Sequence, residues 1–130
     1  MNDPRIPTID PACFAFRDLI GQDAWQNWTV TRSGWTDVGT PTVVGRFRVV
    51  GKQCFFQVKV TPGTTCATTA GTSYIALPLT AKGYSGDGSM SLNPNVYVGG
   101  ITIDVTNSRC YVPTQAAVAN TFIIGGWFEV

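Results

Sequence analysis

Proton transfer near neutral pH relies on histidine more than on any other side chain, and this chain has none. Its acids are seven Asp and one Glu. A glycosidase needs two carboxylates facing one bond. Asp87 and Asp104 are the pair that could converge in space, yet Asp87 sits in Gly86-Asp87-Gly88, where forming a turn is the ordinary role of such a residue. The cysteines, Cys13, Cys54, Cys66 and Cys110, are far apart, with no CxxC spacing and no histidine to complete a zinc site. Cys54, beside Phe55 and Phe56, reads as a small buried hydrophobe. Four cysteines permit two disulfides. The opening Met1-Asn2-Asp3-Pro4-Arg5, however, lacks the basic-then-apolar shape of a secretion signal, which favours thiols and synthesis in a cytosol. The stretch Gly83-Tyr84-Ser85-Gly86-Asp87-Gly88 has neither the lysine nor the following helix of a phosphate loop. The expectation is a protein without catalytic residues, metal or cofactor.

Aromatic residues offer a different kind of chemistry. Trp25, Trp28 and Trp35 cluster in the first third, Tyr84 sits in the glycine-rich stretch, and Trp127 lies near the end. Exposed rings of this sort stack on pyranose faces while neighbouring Asp, Asn and Gln supply hydrogen bonds. In all-β domains the same rings also fill cores and interfaces. Trp25, Trp28, Trp35 and Tyr84 are therefore candidate glycan or interface aromatics. Only 13% of residues are charged, against about 25% in a typical soluble domain. A surface so neutral suits packing between copies or within a larger assembly. The nine Lys and Arg are scattered from Arg5 to Arg109, without the basic stripe that nucleic acid requires. No apolar run reaches the length of a membrane span.

The elements that must position these residues are strands. Residues 1–24 differ in texture: Pro4, Pro7 and Pro11 forbid regular helix or central strand there. Phe14, Phe16, Leu19 and Ile20 follow, too many apolar side chains for a free tail. This segment is expected to be an extended anchoring arm, docked on its own domain or on a partner. From residue 25 to 130 the sequence predicts one domain. Residues 41–50 and 53–60 form a hairpin closed by Gly51-Lys52, with Phe56, Val58 and Val60 facing one way and Gln57 and Lys59 the other. Residues 61–72 read as a loop, 73–77 as a strand, and 81–89 as loop or bulged strand. Residues 95–98 and 101–105 flank Gly99-Gly100, which reads as a tight hairpin or a bulge. Strands at 109–112 and 121–130 complete the chain. About eight antiparallel strands without an amphipathic helix point to an all-β fold, a β-sandwich or jelly roll.

Three stretches resemble bacteriophage tail-fibre and virion-associated domains. Gly45-Arg46-Phe47-Arg48-Val49-Val50-Gly51-Lys52, followed by residues 55–60, is similar to their glycine-bounded hairpin. Ala70-Gly71-Thr72-Ser73-Tyr74-Ile75-Ala76-Leu77-Pro78-Leu79 is similar to a "Gly-Thr-x-x-[Ile/Val]-x-Leu-Pro" segment. Gly125-Gly126-Trp127-Phe128-Glu129 resembles a terminal "Ser-Gly-Trp-Tyr-Glu" strand. The resemblance covers residues 40–130 in order. It implies a non-enzymatic virion protein, made in a bacterial cytoplasm and often trimeric. Such a protein is displayed as a tail or host-adhesion module, with other virion proteins and host surface glycan as partners. A capsid decoration protein and a free carbohydrate-binding module are the alternatives.

Overall fold

The computed structural model describes residues 24–130, so Phe14, Phe16, Leu19, Ile20 and Cys13 lie outside the described residues. Those described form strands and connections, and none is helical. Six strands make the largest sheet, in the spatial order β1 (Gln26–Trp28), β4 (Thr42–Val50), β5 (Gln53–Thr61), β13 (Phe122–Glu129), β8 (Lys82–Leu92) and β9 (Val96–Gly100). A second sheet has the order β10 (Thr102–Asp104), β11 (Arg109–Tyr111), β7 (Tyr74–Ala76) and β2 (Arg32–Ser33). A third has β12 (Gln115–Val118), β6 (Thr65–Thr68) and β3 (Thr36–Val38). Every pairing is antiparallel.

The three sheets share one apolar core. On β5, Cys54, Phe56, Val58 and Val60 point inward, while Gln57 and Lys59 are exposed. This is the alternation expected from sequence. β13 contributes Phe122, Ile124 and Phe128, and β8 contributes Met90 and Leu92. Against them pack Ile75 of β7, Cys110 of β11 and Cys66 of β6. Burying a side chain the size of Phe or Ile stabilises by roughly 1.5–3 kcal/mol. The buried polar side chains Thr68 and Ser73 are both satisfied: Thr68 Oγ1 donates to the Pro113 carbonyl at 2.7 Å and Ser73 Oγ to the Gly34 carbonyl at 2.7 Å.

The expected hairpin is present as β4 and β5, paired from Thr42↔Thr61 to Val50↔Gln53. Its turn has Gly51 at φ 62°, the positive value that the first central residue of a type II′ turn demands. Elsewhere the chain departs from expectation. There are thirteen strands among the described residues instead of about eight, because eight of them are four residues or shorter. The segments 61–72 and 113–120, read as connections, each hold a strand of the third sheet. Of the two readings of 81–89, loop or bulged strand, the second holds: all but Ala81 belongs to β8, the longest strand in the fold, and its pairing with β13 shifts register between Phe128↔Gly86 and Glu129↔Lys82. Its glycines are there for close approach: a Cβ on Gly86 would lie 2.5 Å from Ile103 Cγ1, and one on Gly88 would collide with the Gly125 carbonyl. At Gly99-Gly100 the bulge reading holds and the hairpin does not, since the β8–β9 register shifts between Met90↔Gly99 and Ser91↔Tyr97. β9 pairs with β8 and β10 with β11, so the chain changes sheets there, and the Ile101 amide donates to the Gly88 carbonyl at 3.2 Å.

Candidate functional site

Successive strand residues point to opposite faces, so the register that builds the core also dictates the other face of the six-stranded sheet. Across β4, β5, β13 and β8 three rows of outward residues line up. The first is Arg48, Phe55, Trp127 and Asp87. The second is Arg46, Gln57, Gly125 and Ser89, and the third Val44, Lys59, Ile123 and Ser91. Tyr97 of β9 extends the third row and is 70% exposed. The middle row has glycine at its centre, between two rows of larger side chains, and the surface is hollow there. Two adjoining depressions of about 420 and 390 Å³ share Gln57 and Ile123 in their lining. Trp127 and Ile123 are four residues apart, so the walls stand roughly 13 Å apart at their Cα atoms. The groove crosses four strands, a length of roughly 14 Å.

One wall is aromatic and cationic. Trp25, just before β1, has the Arg46 guanidinium 4.8 Å from its ring centroid and that of Arg48 at 5.5 Å. Arg48 also lies 5.5 Å from the Phe55 ring. The two arginines differ in what they do. Arg46 donates from Nε and Nη2 to the Gln57 side-chain carbonyl at 2.9 and 2.7 Å, which fixes both groups on the groove floor. Arg48 Nε is buried and has no hydrogen-bond partner. An unmet buried donor costs about 1–3 kcal/mol, so this group is retained against a local penalty.

The aromatics singled out from sequence divide between two roles. Trp25 stands in the groove. Trp28 packs against the core and meets Phe47 edge-on at 6.1 Å. Trp35 also packs on the core, edge-on to Phe122 at 5.5 Å, and its indole donates to the Tyr74 carbonyl at 3.3 Å. Tyr84 falls on β8, and its side chain lies outside the description. Phe55 and Trp127 complete the wall although sequence reasoning had not placed them there. For Phe55 the signal was present, since period two on β5 puts it on the face of Gln57 and Lys59. For Trp127 there was little: residues 121–128 carry no charge to mark an outer face, and the register with β5 decides it.

The two candidate acids sit in different sheets, each with a local partner. Asp87 is exposed beside Trp127 and accepts from the Gly88 amide at 2.7 Å. Asp104, on β10, accepts from Asn107 Nδ2 at 2.9 Å, and this bond is the main cause that holds its carboxyl below the usual aspartate value. Among the described residues, no three His, Cys, Asp or Glu gather as metal ligands would. Cys54, Cys66 and Cys110 are buried thiols. A scan of protein-family models finds no match to this chain, and neither curated proteins nor solved structures give one.

Proposed function

We propose that this chain is a non-enzymatic structural module of a bacteriophage particle, displayed on the tail as a host-adhesion domain that holds a surface glycan. The groove across the six-stranded sheet is the observation that carries this reading. It joins aromatic rings able to cover sugar faces (Trp25, Phe55 and Trp127) to a polar floor of Gln57 and Ser89 able to bond hydroxyls. The resemblance of residues 40–130 to tail-fibre domains supplies the particle. The fold we infer is a β-sandwich of the jelly-roll kind. Three antiparallel sheets with one core support it, as does an order that seats the last strand, β13, between β5 and β8.

Reconstruction of the particle that carries this chain tests the reading. Density on the tail, with the six-stranded sheet facing outward, is the expected result. Density on the shell would assign a capsid decoration protein. Purification of the native chain free of any particle would leave a free carbohydrate-binding module. The outer face also carries Val44, Ile123 and Tyr97, exposed by 53, 38 and 70%. These support a second use of the same sheet, as a contact between copies in a homotrimer.

A further inference from the structure

Resting on the glycan-binding reading, we propose that the groove selects acidic glycans, and that Arg48 receives the carboxylate of a uronic-acid-type sugar. The argument starts from charge. The three rows place Arg46, Arg48 and Lys59 on the groove face with one acid, Asp87, at the far edge, and the next row beyond Trp127 adds Glu129 and Lys82, so cations remain in excess. The cations are not equivalent. Arg46 is bonded to Gln57 through two of its nitrogens. Arg48 has aromatic rings near its guanidinium, Trp25 and Phe55 each at 5.5 Å, and its Nε makes no hydrogen bond. Rings near a planar guanidinium leave hydrogen bonding to its edge, and with Nε buried the groups offered to a carboxylate are the N–H bonds of the two Nη atoms. The partly buried setting strengthens that pairing over one in open water, while the groove's open side leaves it sensitive to salt. A neutral sugar would stack on the same rings but offer the guanidinium edge only uncharged hydroxyl acceptors, which bond it more weakly than a carboxylate does.

The test uses the full chain on an array of bacterial surface polysaccharides, some neutral and some containing uronic acids. Every acidic glycan bound is tested again after chemical reduction of its carboxyl groups. The expected result is binding confined to the uronate-containing glycans and lost on carboxyl reduction. Binding should also weaken as salt rises from about 0.05 to about 0.5 M. Arg48→Gln should weaken it about tenfold or more, with Arg48→Lys intermediate, because charge survives but the planar fork does not. Equal binding of native and carboxyl-reduced glycans would overturn the acid selectivity and keep the glycan reading. Binding of no glycan would overturn both. In that case, a change of oligomeric state in Trp127→Ala would identify a second copy of the chain as the occupant. The carboxyl-reduction arm needs no variant, so it decides the matter even if Arg48 substitutions fail to fold.

Discussion

The Asp37 carboxylate does more for the fold than either acid first considered for catalysis. Arg32 donates to its two oxygens at 3.2 and 2.9 Å and lies 4.9 Å from the Trp35 ring, while the Cys66 thiol donates to Oδ1 at 3.0 Å. The cluster ties β2 and β3 to β6. The Arg32 hydrogen bonds are the largest influence on Asp37 and hold its carboxyl below the usual value against the opposing effect of burial. As pH falls the unfolded chain therefore takes up this proton first. The contribution is whole above about pH 4 and is lost as acidity passes through the folded value. Asp37→Asn should accordingly flatten the acid limb of stability. Urea midpoints at neutral pH and near pH 3 should differ less in the variant than in the parent. At the alkaline end the sign follows the thiols. Burial is the main cause that pushes Cys54 and Cys66 up to about 11 and Cys110 to about 12. Unfolded thiols ionise near pH 8.5, so stability should fall from about pH 9 upward. Denaturant midpoints across that range check it, and Cys110→Ala should reduce the fall while lowering stability at neutral pH.

Two glycines on neighbouring strands show how the same residue type answers different demands. Gly88 of β8 faces inward, where an added Cβ would strike the Gly125 carbonyl and lie 2.7 Å from Ile101 Cδ1. Backbone cannot yield as a flexible side chain can. Gly88→Ala should thus lower stability by about 1–3 kcal/mol, measured by thermal or urea unfolding. Gly125 of β13 faces the groove, and a Cβ there would meet nothing nearer than 3.6 Å. Gly125→Ala should fold as well as the parent or slightly better, since a methyl at an ordinary φ restricts the unfolded chain. It should nevertheless weaken glycan binding by raising the floor, an effect read from the tryptophan fluorescence of a titration. These demands also explain what was legible in sequence. The β4–β5 hairpin could be read because polar and apolar residues alternate in Gln57-Val58-Lys59-Val60 and Gly51 marks the turn. β8 could be read only as loop or bulged strand, because its glycines resemble loop punctuation until Ile101 and Ile103 are seen lying on them. The groove was invisible for a related reason: its rows are set by register between strands distant in sequence, and no local pattern encodes that register.

At the scale of the whole molecule, the sparse charge and the described core together say how residues 1–23 can matter. Every buried apolar side chain described lies between Cys54 and Phe128, drawn from all three sheets. That core is already continuous. A chain of residues 24–130 should therefore unfold in one cooperative transition, with calorimetric and van't Hoff enthalpies in agreement. The proposed homotrimer asks for contact beyond this core, and the neutral surface with exposed Val44, Ile123 and Tyr97 supplies only part of it. Phe14, Phe16, Leu19 and Ile20 would provide more apolar area by docking on a neighbouring copy or on another virion protein. Light scattering should then report a trimer for the full chain and a monomer for residues 24–130. A truncated chain that loses cooperative unfolding would make the first residues part of the core instead. A full chain that runs as a monomer would remove the trimer and leave the arm, if it docks at all, to its own domain.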